Sequence, residues 1–197
     1  SAGARVILEK LHAFMEDCVL PNELKIIDYN FAARGVWPER GNKWVPNPHI
    51  ESLRAEARKR GLWNLWCTKR TAIELQKAHP TWPWSRLLPH KVGLSHLDYA
   101  FIAIETGRSL FGAEACNCMA PDTGNMEVFA HFGTREQQKK WLLPLLDGRT
   151  RSCFGMTEPM TASSDPTQLQ STATKQGNQW VLQARKWWTT GACDSRC

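Results

Sequence analysis

Between Thr157 and Ser164 the chain carries four side-chain hydroxyls, on Thr157, Thr161, Ser163 and Ser164, directly after the apolar run Phe154-Gly155-Met156. Hydroxyls both donate and accept, and binding groups collect on loops at the ends of rigid elements, so this stretch suits a polar ligand. Two carboxylates invite an acid–base reading. Glu105 interrupts an otherwise apolar helical pattern and reads as a surface-edge group, and Glu158 reads as a capping or turn carboxylate rather than a catalytic acid. The seven cysteines form no CxxC pair. Cys116-x-Cys118 and Cys193-x3-Cys197 lack histidines at metal-ligand spacing, which predicts reduced thiols and no metal site. Neither GxGxxG, GxxxxGK[ST], HExxH nor GxSxG occurs, so nucleotide-phosphate, zinc-protease and serine-hydrolase chemistry lose their usual signals.

These groups need a body to hold them. With 197 residues and 42% hydrophobic content, the chain can bury one sizeable core or two small ones. The net charge of +6 is spread over separated basic pairs without a recognition motif. That argues against nucleic acid and for an anionic cofactor or phosphorylated substrate. No apolar run reaches the roughly 18 residues that mark a membrane span, and no charged-then-apolar leader opens the chain, which predicts a soluble mature chain and leaves a cleaved targeting peptide open; the reduced thiols suit an intracellular compartment.

Apolar spacing of three and four predicts a helix over Arg5–Val19 through Ile7, Leu11, Phe14, Met15 and Cys18. After Pro21 a second helix carries Leu24, Ile27 and Phe31 to about Gly35, and a loop follows over Trp37–Pro48. Pro48–Leu62 is a third helix, with Ile50, Leu53 and Ala57 inward and Arg58-Lys59-Arg60 as a solvated, dipole-favoured last turn. Thr68–Ala78 forms a short helix that His79-Pro80 ends. Ser95 and Asp98 make a capping box for a helix that should bury Leu97, Phe101, Ile104 and Leu110. A helix from about Pro121 turns Met126, Phe129 and Ala130 inward, and Thr134 with Gln137 caps the next one. Beyond Gly148 the period becomes two: strands at Ser152–Thr157, Ser171–Lys175, Gln179–Leu182 and Lys186–Gly191, the middle pair a hairpin across Gln176-Gly177-Asn178. The fold class is therefore α+β, helical over 1–150 and β over 151–197.

Four blocks then give the sequence a family likeness. They are Pro121-Asp122-Thr123-Gly124-Asn125-Met126-Glu127-Val128, the run from Gly133-Thr134 through Lys140-Trp141-Leu142 and Pro144-Leu145-Leu146 to Gly148, Phe154-Gly155-Met156-Thr157-Glu158-Pro159, and Lys186-Trp187-Trp188. In this order the chain resembles the acyl-CoA dehydrogenase family. The resemblance implies an all-α N-terminal domain over 1–150, the first strands of a β-barrel middle domain over 151–197, and a C-terminal helical bundle that these residues do not include. It implies FAD as hydride acceptor and a fatty acyl-CoA as substrate for α,β-dehydrogenation. The base, a glutamate of the bundle in this family, is expected beyond Cys197, which would leave this chain alone inactive.

By the same resemblance Phe154, Gly155, Met156 and Thr157 run along the isoalloxazine, and Ser163 and Ser164 lie near the pyrophosphate and the thioester end, with Ser164 as the substrate contact. Trp188 covers the ring, and Thr189 and Thr190 sit by its reactive nitrogen. A flat apolar ring wants an aromatic wall, and its polar edge wants donors. Electron-transfer flavoprotein as acceptor, a homo-oligomer, and a mitochondrial or alternatively peroxisomal location follow from the family. A non-catalytic interaction module is the rival reading. The sequence departs from the family pattern in residues 66–86, which look inserted within an atypical stretch 66–89, in Gln183-Ala184-Arg185 where an Asn-Gly turn is usual, and in Pro166.

Overall fold

The computed structural model describes residues 1–35, 46–89, 93–162, 164–194 and 196–197. Most of the predicted loop 37–48, and Ser163, lie outside these residues. The first helix, α1, spans Ala2–Phe14 and buries Ala4, Ile7, Leu11 and Phe14, the expected stripe. It runs on through a π-helical turn at Met15–Val19 and a 3-10 turn at Leu20–Asn22 that takes up Pro21, into α2 at Glu23–Gly35. Proline fits the start of such a turn because its missing N–H has no partner to lose there. In α2 Ile26 is buried among the described side chains, whereas Leu24 and Phe31 of the predicted stripe are exposed.

Helix α3, Pro48–Lys59, starts where the Asn47 side chain accepts from the His49 amide, and it buries Ile50, Leu53 and Ala57 as expected, with Arg54 beside them. The basic run behind it is not simply solvated. The Arg58 guanidinium lies 3.5 Å from the centre of the buried Trp63 ring, and Arg60 bonds Glu56 at 2.9 Å. Residues 66–86 form part of the body: α4 at Lys69–Ala78 and α5 at Trp84–Leu87 bring Trp66, Leu75 and Leu87 into the core. His79 stacks on Trp82 at 4.0 Å and meets Gln138 Oε1 at 2.6 Å.

Helix α6, His96–Thr106, opens with the predicted Ser95–Asp98 capping box but presents the other stripe to the core. Ile102 is fully buried, while Leu97, Phe101, Ile104 and the following Leu110 are exposed. Contacts on the far side explain the rotation: Glu105 faces His12 of α1 at 3.1 Å and Arg108 at 2.6 Å, so α6 docks on α1 through the 98–102–105–106 side.

The rest of the helical part comprises α7 at Gly112–Ala115, α8 at Asp122–Phe132, α9 at Arg135–Gln137, a π-helical turn at Gln138–Leu142 and α10 at Leu143–Leu146. Met126 of α8 is fully buried with Phe129 and Ala130 half-buried, and the Thr134–Gln137 capping box is formed. Trp63 ties α10 to the core by donating its indole N–H to Leu146 O at 2.8 Å.

Two strands form, β1 at Thr172–Gln176 and β2 at Gln179–Gln183, antiparallel with Gln176 opposite Gln179. The loop is Gly177-Asn178, with Gly177 at φ +59°, a backbone state a side chain would strain. The predicted strands at Ser152–Thr157 and Lys186–Gly191 do not form a ladder among the described residues. Their recorded backbone pairing is a single bond, Trp187 N–H to Thr157 O at 3.1 Å, and Trp188 at φ +52° breaks the extended path. Residues 184–187 make no tight turn where the family pattern places one. The α+β class stands: a helical body followed by a small sheet. Among the described residues no helix is long and apolar enough to cross a membrane, and no cluster of three metal-ligating side chains occurs.

Candidate functional site

The segment that leads to the predicted site is fixed to α8. Arg151 pairs with Asp122 at 2.6 Å and with Glu114 at 2.8 Å. Ser152 donates its amide and hydroxyl to Asp122 Oδ1 at 2.7 and 2.6 Å, and Asn125 donates to Cys153 O at 3.2 Å. Local sequence accounts for this anchor: Asp122 opens the helix, where a carboxylate is favoured by the dipole, and Asn125 follows on the next turn. The returning segment passes close by. At Gly191, φ +88°, a Cβ would stand 2.6 Å from Ser152 O, so only glycine fits.

From there Phe154–Thr157 and Lys186–Thr190 run side by side. A Cβ on Gly155 would stand 3.5 Å from Lys186 Cγ and 3.7 Å from Thr189 Oγ1, ordinary contact distances. The structure thus brings together Phe154, Gly155, Met156, Thr157, Trp188, Thr189 and Thr190 of the predicted set. Phe154 is 57% and Trp188 80% exposed, Met156 is exposed beside them, and the Trp187 ring lies 5.7 Å from that of Trp188. Thr157 and Thr189 are half-buried and Thr190 is exposed. Among the described residues the amides of Met156, Thr157, Trp188 and Thr189 make no hydrogen bond. An exposed apolar wall next to unused donors has the composition a flat heteroaromatic ring with a polar edge requires, so these residues fit a flavin.

Ser164 is exposed in the turn ahead of a 3-10 turn at Pro166–Gln168, where Asp165 accepts from the Thr167 amide at 3.0 Å. No hydrogen bond among the described residues joins Ser164 to the two antiparallel segments. Ser163 lies outside the described residues.

Glu158 has a part that its sequence position did not suggest. Its carboxylate accepts from the Gln170 amide at 2.7 Å, from the Ser171 amide at 3.0 Å, from the Ser171 hydroxyl, and from Lys186 Nζ at 2.8 Å. The Lys186 ammonium first, then Ser171 and Gln170, hold its pKa down at about 2. Lys186 also donates to Met156 O at 2.9 Å. Both charges stood inside the motif blocks, which was the available signal, but nothing local pairs residues so far apart. Beside them lies an open groove of about 310 Å³ lined by Glu158, Pro159, Met160, Gln170, Ser171 and Arg185 among others. A larger open hollow of about 540 Å³, bordered by Lys69, Ile73, Leu94 and His96, holds none of the predicted site residues. Cys67, Cys116 and Cys118 are buried thiols pushed up by desolvation, Cys67 and Cys118 to about 12, and all seven cysteines are free.

A helical body thus leads into two adjoining antiparallel segments that carry exposed aromatic residues, and comparison with known proteins says which family this arrangement resembles. Residues 153–197 match the family profile described as acyl-CoA dehydrogenase, middle domain. The chain is 43% identical to acyl-CoA dehydrogenase family member 11 of Gallus gallus and 38% identical to family member 10 of Mus musculus, each alignment covering 100% of this chain and 22% and 16% of the relative. It is 41% identical to the FadE2 protein of Mycobacterium tuberculosis, over 100% of this chain and 42% of that protein. A solved structure from Mycobacterium abscessus, assigned to the acyl-CoA dehydrogenases, superposes with a TM-score of 0.76 at 36% identity, covering 100% of this chain and 44% of the other. Over its whole length the chain is thus similar to part of the acyl-CoA dehydrogenases, and its mixed helical and sheet architecture matches an N-terminal and middle-domain portion of that family. It spans less than half the length of each of these relatives.

Proposed function

We propose that this chain supplies the helical body and one wall of the FAD site of an acyl-CoA dehydrogenase that oxidises a fatty acyl-CoA across its α,β bond. The observation that carries this reading is the antiparallel course of Phe154–Thr157 and Lys186–Thr190, which sets exposed aromatic side chains beside amides that make no hydrogen bond among the described residues. Bound there, FAD would accept the hydride from the substrate's β-carbon. Phe154, Met156 and Trp188 would form the apolar wall, Thr157, Thr189 and Thr190 would donate to the polar edge, and Ser163 and Ser164 would face the pyrophosphate and the acyl-CoA. On this reading the electron acceptor is an electron-transfer flavoprotein and the compartment the mitochondrion.

Neither glutamate considered for proton abstraction is available for it. Glu105 is engaged by His12 and Arg108, and Glu158 by Lys186 and Ser171. The chain by itself therefore binds flavin without turning over acyl-CoA. Titration of the recombinant chain with FAD should shift the flavin absorbance band and quench tryptophan fluorescence. Trp188→Ala should weaken binding roughly tenfold, as expected for removing a stacking aromatic. No spectral change at saturating FAD would overturn the reading, and acyl-CoA oxidation by this chain with an artificial acceptor would overturn the claim that its base is lacking.

A further inference from the structure

We infer that Glu158 and Lys186 form a positioning clasp that sets the register between the two segments of the proposed flavin wall. In a continuous sheet, register comes from the ladder of backbone hydrogen bonds. Here the recorded ladder between 154–158 and 186–190 is one bond, Trp187 N–H to Thr157 O. The hairpin that joins the segments is exposed on both faces of β1 and β2, so core packing does not hold it either.

Side chains take over that task. Lys186 Nζ reaches Met156 O at 2.9 Å and Glu158 Oε1 at 2.8 Å, bridging main chain and carboxylate of the first segment. The same carboxylate takes the amides of Gln170 and Ser171, just before β1. One group thus pins the chain as it enters the hairpin and, through Lys186, as it leaves. The Glu158 and Lys186 side chains are 6% and 21% exposed, so water screens the pair little. Trp187, Trp188 and Thr189 follow Lys186 directly, and a one-residue slip would turn Trp188 to the opposite side. The functional consequence rests on the flavin reading; the clasp itself does not.

The test uses the full chain with Glu158→Gln, Lys186→Met, the double variant, and Lys186→Arg as the conservative replacement. Amide hydrogen exchange read by mass spectrometry should speed up roughly tenfold at the hydrogen-bonded amides of Gln170, Ser171 and Trp187 in both single variants, the loss expected on breaking a charge-assisted pair. It should be unchanged in α1, α3 and α6. The double variant should be no faster than either single one, because the two groups act as a unit. FAD affinity should fall in step and recover in Lys186→Arg. Unchanged exchange at 170–171, additive effects in the double variant, or acceleration spread through the helices would each overturn the clasp. Faster exchange with undiminished FAD affinity would overturn its positioning role. If the wild type binds no FAD, the flavin reading fails, and the exchange data still decide whether the clasp exists.

Discussion

The Glu158 carboxylate takes hydrogen bonds from Lys186, Ser171 and the Gln170 amide, and that company brings its pKa from 4.5 to about 2. A carboxylate whose pKa is lowered by folding stabilises the native state fully above the unfolded value and loses that contribution as pH falls through the folded one. The stability difference between wild type and Glu158→Gln should therefore be constant above about pH 4.5 and close as pH falls towards 2. Urea titrations at a series of pH values check this, because every other carboxylate titrates alike in both proteins. A difference independent of pH over that window would mean that the charge is not what holds the hairpin. The sequence reading of a capping or turn carboxylate implies partners within a few residues, whereas its amide partners lie twelve and thirteen residues on and Lys186 lies across the hairpin, contacts that leave no local trace.

Helix α6 carries apolar residues on two adjacent stripes. Periodicity favours Leu97, Phe101 and Ile104, and the structure buries Ile102 together with Asp98 and Thr106. The stripes differ by one residue, about 100° of rotation, and the choice between them depends on which side finds α1 and the partners of Glu105. Ile102→Ala should cost about 2–5 kcal/mol. Leu97→Ala and Ile104→Ala should each stay within about 0.5 kcal/mol, as for surface positions. Denaturant unfolding monitored by circular dichroism measures all three; equal losses would restore the periodic reading. The caps at Ser95 and Thr134 were legible in the sequence because a capping box closes within three residues and needs no other element.

Across the whole molecule the helical body and the hairpin differ in how they are held. The body shares a core that includes Leu11, Phe14, Trp63, Ile102, Met126 and Leu146, whereas β1 and β2 are exposed along their full length. A two-stranded sheet without a buried face opens at little cost. Limited trypsin digestion should cut first at Lys175 and Arg185, both exposed, and only later at the buried Arg54 or the half-buried, ion-paired Arg151. Mass spectrometry of early fragments reads the order, and early cleavage at Arg54 would contradict the arrangement.

The sequence by itself determined the α+β class, the helices closed by local caps, the hairpin around Gly177 and, through four ordered blocks, the likeness to acyl-CoA dehydrogenases. Each of these rests on interactions within a few residues or on motif order. Tertiary structure alone decided which face of α6 is buried, that Trp66, Cys67 and Leu75 of the stretch 66–86 enter the core, that two of the four predicted strands form a ladder among the described residues, and that Glu158 meets Lys186 across the hairpin. Those outcomes depend on contacts between residues distant in the chain, where several partners satisfy the same local pattern and packing selects one.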